Sequence, residues 1–166
     1  MLALLLAGTA GTSTIARAET GLPEPTARTA QQLSADDMAA ARTIAVQPDR
    51  FAPLVGGPWS NPAPARFYTN QPDTVPACGV GYACMKIKAG SQSWYTDFWY
   101  YDYGVYALEN WIGAGWLNNR QTGGATLRTY TESGTVIKCY PSNSNGAVSR
   151  PNWSPVYYIS LLPQRC

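Results

Sequence analysis

The chain has 166 residues, enough for one ordinary domain and not for two large ones. It contains no histidine, which excludes nucleophiles paired with an imidazole base as well as histidine-bound zinc. The formal net charge is only +2, which gives no strong electrostatic attraction to nucleic acid or to an anionic membrane. Many catalytic mechanisms are therefore excluded, and neither nucleic acid nor a membrane is expected as a partner.

Residues 1–18 are predicted to be a signal peptide. A short apolar run, residues 2–7, precedes small residues and the sequence Ala16-Arg17-Ala18, which matches an A-x-A cleavage site. The apolar run falls far short of the ~20 residues that a transmembrane helix needs. We therefore expect a secreted protein whose mature chain begins at Glu19.

Residues 19–77 differ in composition from the rest of the chain and are rich in proline and alanine. They hold nine of the thirteen prolines, which excludes a central strand or a long helix over most of this stretch. Ser34 as an N-cap, with Asp36 and Asp37 in the first turn, predicts one short helix over about residues 35–45. The remainder is interpreted as an extended linker or a pro-segment.

Residues 78–166 are predicted to form the folded domain. Sixteen of these 89 residues are aromatic, and turn signals rich in glycine, asparagine and serine recur at short intervals. Alternating segments, such as residues 85–88, 125–130 and 156–161, are typical of short strands. The pattern predicts an all-β fold, a small antiparallel sandwich or barrel.

Two disulfides are predicted in this domain, because an even number of cysteines is typical of exported chains. The four cysteines are Cys78, Cys84, Cys139 and Cys166, and three pairings are possible. The short interval that contains Gly79 and Gly81 favours a Cys78–Cys84 pair, which leaves Cys139 for Cys166. A zinc site of four thiolates is the alternative, and we reject it because paired C-x2-C spacing is missing.

Three motifs carry a family resemblance: Cys78-Gly-Val-Gly-Tyr-Ala-Cys84, Trp94-Tyr-Thr-Asp-Phe98 and Asn118-Asn-Arg-Gln-Thr-Gly123. Together they resemble secreted βγ-crystallin-like domains, and more narrowly the small actinobacterial peptidase inhibitors built on that fold. The resemblance covers roughly residues 78–138, with weaker matches as far as residue 166. It implies a disulfide-stapled Greek-key sandwich. It also implies a secreted binding protein that occludes a secreted protease without catalytic residues of its own.

Asn118, Asn119 and Thr122 also resemble the calcium motif of crystallin-type domains, in which side-chain oxygens and a main-chain carbonyl hold the ion. Calcium prefers six to eight oxygen ligands with carboxylates among them, whereas these three side chains are neutral and Gly123 replaces the final serine of the motif. The alternative, which we favour, is that the side chains cap their own turn. No other cofactor is expected.

Two segments are candidates for an inhibitory loop. The first leaves Cys139 and contains Tyr140 and Pro141; the family's metalloprotease inhibitor also has its reactive bond after a cysteine. The second, residues 149–153, contains Arg150. Inhibition by occlusion needs a rigid exposed segment that is already ordered for the protease cleft. The alternative is that both segments are ordinary loops.

The run of residues 94–101 places aromatic side chains on both faces of a predicted strand. Only one face can be core, so an exposed aromatic patch is expected among Trp94, Tyr95, Trp99 and Tyr101. Such a patch indicates a partner, and a cell-wall or carbohydrate-binding module is therefore the alternative function. A secreted toxin or bacteriocin-like protein is a second alternative.

An enzyme is not expected. Catalysis would need carboxylates as general acid and base, and nothing in the sequence brings two of them together. The acidic residues of the predicted domain are Asp97, Asp102, Glu109 and Glu132.

Overall fold

The computed structural model describes residues 32–43, 57–143 and 145–166. They form one helix and nine strands in two antiparallel sheets, with two disulfides, so the predicted all-β, disulfide-stapled fold is confirmed. The predicted signal peptide, residues 1–18, lies outside the described residues. In the part of the chain that the structure describes, we find no helix of the length and apolarity needed to cross a membrane.

The helix, α1, spans Ala35–Thr43. The strands are β1 (Trp59–Asn61), β2 (Arg66–Gln71), β3 (Ala83–Lys88), β4 (Tyr95–Tyr100), β5 (Gly104–Glu109), β6 (Trp116–Asn119), β7 (Thr126–Tyr130), β8 (Val136–Pro141) and β9 (Tyr158–Leu162). One sheet has five strands in the order β1-β5-β9-β7-β8. The other has four strands in the order β2-β4-β3-β6.

The main hydrophobic core lies between the two sheets and receives side chains from both of them. In the β3–β4 hairpin, Met85 pairs with Phe98, and both side chains are fully buried. Each such side chain contributes about 1.5–3 kcal/mol through removal of apolar surface from water. Because side chains alternate along a strand, Phe98 and Tyr100 enter the core while Trp99 lies on the outer face of the sheet.

The two sheets begin N-terminal to residue 78, inside the stretch interpreted from the sequence as a linker or pro-segment. Strands β1 and β2 each occupy one edge of a sheet, where they pair with β5 and β4 respectively. The prolines of this stretch flank the strands and do not interrupt them: Pro58 precedes β1, and Pro72 follows β2. Proline is tolerated at such positions because an edge strand needs only half of its backbone groups for pairing.

Helix α1 begins as predicted, because the Ser34 hydroxyl accepts a hydrogen bond of 3.1 Å from the Asp37 backbone N–H. It ends at Thr43, and the last two residues of the predicted helix, 44–45, lie outside the described residues. The segment packs on the outer face of the five-stranded sheet, where Leu33 contacts Tyr130 and Tyr158 in a second hydrophobic cluster. Residues 32–43 are therefore an integral cover of that sheet.

Candidate binding surfaces

The outer face of the four-stranded sheet carries two cross-strand rows of side chains. Residues that pair directly across neighbouring strands project to the same face. One row consists of Arg66, Trp99, Cys84 and Asn118, and the next consists of Tyr68, Asp97, Lys86 and Trp116. The face is thus aromatic and cationic at the β2 edge and holds charged groups towards its centre.

Four aromatic rings at the β2 side of this face touch one another, and we call them the aromatic cluster: Tyr68, Tyr82, Trp99 and Tyr101. Trp99 is central, with its ring centroid 5.7 Å from that of Tyr68 and 5.4 Å from that of Tyr82. The Tyr82 ring in turn lies 5.4 Å from the Tyr101 ring. Tyr68 is 43% exposed and Tyr101 is 58% exposed, so the two ends of the cluster face solvent.

Arg66 adds a positive charge to the aromatic cluster. Its guanidinium carbon lies 5.4 Å from the centre of the Tyr82 ring and 6.0 Å from that of the Trp99 ring, which is cation–π geometry. Neither of the two ion pairs found among the described residues involves Arg66. The arginine therefore stacks on the rings and is itself exposed.

The Cys78–Cys84 disulfide holds the turn that supports the cluster, and its Cα atoms lie 5.7 Å apart. Gly79 lies directly against the rings: a Cβ atom there would be 3.4 Å from Tyr82 and 3.5 Å from Trp99. Gly81 has a φ of 90°, a conformation that favours glycine. The disulfide turn therefore lies next to the aromatic side chains, and its backbone conformation at Gly81 favours glycine.

A buried ion pair lies beside the aromatic cluster. Lys86 Nζ is 3.4 Å from Asp97 Oδ1, and both side chains are almost fully buried. Burial raises the pKa of the Asp97 carboxyl above its ordinary value, and the positive charge of Lys86 opposes that rise. Lys86 also donates a 2.9 Å hydrogen bond to the Pro72 carbonyl, which ties the segment after β2 to the outer face.

Asp73, Trp116 and Arg150 form a second contact on the same face, next to the β6 edge. Trp116 Nε1 donates a 2.8 Å hydrogen bond to Asp73 Oδ1, and Arg150 Nη2 lies 3.0 Å from Asp73 Oδ2. The Arg150 guanidinium also stacks over the Trp116 ring at 4.5 Å. The hydrogen bond from Trp116, with a contribution from Arg150, lowers the pKa of Asp73.

The four residues of the predicted aromatic patch do not all lie together in the structure. Trp99 and Tyr101 belong to the aromatic cluster, whereas Trp94 is half-buried outside it. Tyr95 is buried, and burial together with the neighbouring Asp73 raises the pKa of its hydroxyl. Sequence reasoning did not select the remaining members of the surface: Tyr68, Tyr82 and Arg66. The available signal for strand β2 was the segment Arg66-Phe67-Tyr68-Thr69. It is rich in strand formers and is bounded by Pro64 and Pro72.

The first candidate inhibitory segment needs correction, because Tyr140 is not in an exposed loop. It lies on β8, is only 7% exposed, and belongs to the main core. Its backbone pairs with Leu127 of β7, and this register turns the ring towards the opposite sheet. Pro141, the last residue of β8, is exposed. The other predicted disulfide is present, and it joins Cys139 of β8 to Cys166.

The loop that follows β8 runs over residues 142–149, of which the structure describes all but residue 144, and it is bonded to strand β6 at Asn143 and Ser149. The Asn143 N–H donates a 2.7 Å hydrogen bond to the Asn119 carbonyl, and Ser149 exchanges two 2.9 Å backbone hydrogen bonds with Leu117. We call this segment the β8 loop. Arg150, from the second candidate segment, follows it directly and is held by the ion pair to Asp73. Trp153, the last residue of that segment, is fully buried.

The predicted calcium motif lies at the end of β6, where Asn118 and Asn119 are both buried. The Asn119 side-chain amide donates a 3.0 Å hydrogen bond to the Tyr140 carbonyl, and its Oδ1 accepts one of 3.3 Å from the Gln121 N–H. Thr122 is exposed, and its carbonyl accepts a hydrogen bond from the Ala125 N–H. Both amide groups of Asn119 are therefore used within the protein, and its Oδ1 caps the turn that follows β6.

Comparison with known proteins finds no matching family model, no matching curated protein and no matching solved structure. Within residues 32–43, 57–143 and 145–166, no group of three or more cysteine, aspartate or glutamate side chains is arranged to hold a metal ion. The β8 loop and the aromatic cluster are therefore the two candidate binding surfaces of the described residues.

Proposed function

We propose that this protein is a secreted, non-enzymatic binding protein that inhibits a secreted protease by occlusion, with the β8 loop as the inhibitory segment. The observation that carries the proposal is that this exposed loop is anchored near both ends. Asn143 hydrogen-bonds to Asn119, the last residue of β6, and Ser149 hydrogen-bonds to Leu117 within the same strand. Just before the loop, the Cys139–Cys166 disulfide fixes β8. The family resemblance of the sequence points to the same activity.

Anchoring supports inhibition for an entropic reason. A loop that is ordered before it binds loses little conformational freedom when it enters a protease cleft, so more of the contact energy appears as affinity. Within the loop, the Asn143 side chain accepts a 2.9 Å hydrogen bond from the Asn145 N–H.

The side chains of the loop suggest how it engages its target. Val148 is 37% exposed and is the apolar side chain that we expect to enter a specificity pocket. Arg150 is exposed, but its guanidinium is bound to Asp73 and stacked on Trp116. We therefore assign Arg150 to holding the C-terminal end of the loop, and not to direct contact with the protease.

Two disulfides are compatible with an oxidising, extracellular location. Export by the signal peptide predicted over residues 1–18 belongs to the proposal, because an inhibitor of a secreted protease must reach the compartment of its target. No cofactor is needed for occlusion, and in our proposal the asparagines near β6 act as structural side chains.

The test is an inhibition assay of the secreted chain against purified secreted serine proteases and metalloproteases. Val148→Asp places a charge on the loop and should weaken inhibition at least about tenfold, the effect of losing ~1.4 kcal/mol of binding energy. Val80→Asp is the matched control, because Val80 is also exposed but lies in the Cys78–Cys84 turn. If no protease is inhibited, or if both variants inhibit equally, the proposal is wrong.

A further inference from the structure

The aromatic cluster has no part in the proposed inhibition. It lies at the β2 edge of the four-stranded sheet, whereas the β8 loop is anchored to β6 at the opposite edge. We propose that the aromatic cluster, with Arg66, is a separate binding site for an acidic polysaccharide. The site would hold the protein on an insoluble polymer while the β8 loop remains accessible.

The shape of the cluster favours a linear ligand built of flat units. Ring follows ring from Tyr68 through Trp99 and Tyr82 to Tyr101, with successive centroids 5.4–5.7 Å apart. Neighbouring rings are tilted by 54–69° to each other, and the rings at the two ends, Tyr68 and Tyr101, are the exposed ones. The C–H faces of pyranose rings carry small positive partial charges and pack against the negative faces of aromatic rings. A chain of sugar units can therefore stack on the two exposed rings.

The charge of the cluster favours an acidic polymer over a neutral one. The Arg66 guanidinium lies with its carbon 5.4 Å from the centre of the Tyr82 ring, and the described ion pairs leave it without an acidic partner. The planar guanidinium group can donate two parallel hydrogen bonds to one carboxylate or phosphate. Lys86 and Arg150 on the same face are paired with Asp97 and Asp73, and Lys88 is exposed at the opposite end of β3 from the cluster.

The site is rigid before it binds. Tyr68 and Trp99 stand on paired strands, β2 and β4. Tyr82 follows the turn closed by the Cys78–Cys84 disulfide, and Gly79 of that turn lies against both Tyr82 and Trp99. Aromatic side chains have few rotatable bonds, so a fixed backbone fixes most of the surface. Little ordering is then needed when a polymer docks, which raises the affinity available from modest contacts.

The experiment measures binding of the full-length secreted protein to insoluble bacterial cell-wall sacculi. Sacculi are compared before and after extraction of their phosphate-bearing glycopolymers. Tyr68→Ala and Tyr101→Ala are expected to weaken binding about tenfold each, because each removes an exposed stacking surface. Tyr157→Ala is the matched control, since Tyr157 has the same 43% exposure as Tyr68 but lies outside the cluster, just before β9.

Arg66→Gln tests the acidic character of the ligand. The Arg66→Gln variant should bind intact sacculi more weakly than the unaltered protein does. After the phosphate-bearing glycopolymers are extracted, the two proteins should bind the sacculi about equally. The proposal is overturned if the unaltered protein does not bind the sacculi, if the cluster variants bind as well as the Tyr157→Ala control, or if extraction changes nothing. It is also overturned if the cluster substitutions leave binding to sacculi unchanged and abolish only the binding of another protein. Protease inhibition, measured on the same variants, should stay unchanged and tests the function of the β8 loop separately.

Discussion

Trp116 and Asp73 are joined by a 2.8 Å hydrogen bond from the indole Nε1 to the carboxylate Oδ1. The contact links the segment after β2 to β6, and Arg150 completes it from the end of the β8 loop by pairing with Asp73 at 3.0 Å. Three parts of the chain that are distant in sequence are therefore held together at one edge of the sheet. This contact adds to the backbone hydrogen bonds between Ser149 and Leu117 that hold the C-terminal end of the proposed inhibitory loop.

Asp73→Asn is expected to lower stability in a pH-dependent way. The pKa of Asp73 is lowered from its ordinary value of 3.8 in the folded state, chiefly by the Trp116 hydrogen bond. The carboxylate therefore contributes stability that is present above pH 3.8 and is lost as the pH falls through the lower, folded-state pKa. The melting temperatures of the Asp73→Asn variant and the unaltered protein should differ at neutral pH and converge in acid. A difference that stays constant with pH would contradict this assignment.

Removal of the Cys139–Cys166 disulfide should destabilise the fold strongly. The two cysteines are 27 residues apart, and the chain-entropy model gives about 3.5 kcal/mol for a loop of that length. The double substitution Cys139→Ser with Cys166→Ser should show this loss in urea unfolding. Peptide mapping of the unreduced protein should recover Cys78 with Cys84 and Cys139 with Cys166. Free thiols, or any peptide linking Cys84 to Cys139, would contradict the pairing.

Asn119→Ala should destabilise the protein without any change in calcium response. The substitution leaves the buried Tyr140 carbonyl without its 3.0 Å hydrogen bond, which costs about 1–3 kcal/mol. Thr122→Ala, at an exposed position of the same motif, should stay within about 0.5 kcal/mol of the unaltered protein. Millimolar calcium should leave all three melting temperatures unchanged. A rise with calcium that Asn119→Ala abolishes would establish an ion site and reverse our interpretation.

Leu33→Ala should lower the free energy of unfolding by about 2 kcal/mol, the lower end of the range for buried leucines. Leu33 packs with Tyr130 and Tyr158, and its N–H donates a 2.9 Å hydrogen bond to the Gly134 carbonyl. Met38→Leu is the control, because it keeps the volume of a neighbour in the same cluster. If residues 32–43 were a detachable pro-segment, both variants would unfold like the unaltered protein.

Much of the fold could be predicted from local signals in the sequence. The Ser34 cap, the short glycine-bearing interval between Cys78 and Cys84, and the alternation in β3, β7 and β9 are all properties of adjacent residues. Edge strands β1 and β2 were missed because the frequent prolines of residues 19–77 dominated the interpretation. Proline interrupts pairing only where it lies within a strand, and here it lies between strands.

The positions of single side chains were harder to predict, because they depend on pairing across the sheets. Alternation in residues 94–101 showed that one aromatic face must be outside, but the choice of face was made by the pairing of Phe98 with Met85. Tyr140 precedes a proline and several turn-forming residues, which is typical of a loop. Its burial follows from pairing with Leu127, a contact that no local pattern reveals.

The four sheet edges are protected unequally. At three of them, β1 has only three residues, β2 carries a register shift after Tyr68, and β6 is bridged by Ser149. Strand β8 is the remaining edge. A bridge between Gln32 and Thr135 covers the chain just before this strand. Ile137 and Lys138 lie beyond the bridge and are exposed. Unpaired strand edges are templates for pairing with another chain, and a lysine on such an edge opposes it. Loss of the Lys138 charge would therefore favour edge-to-edge assembly, starting at the strand that leads into the proposed inhibitory loop.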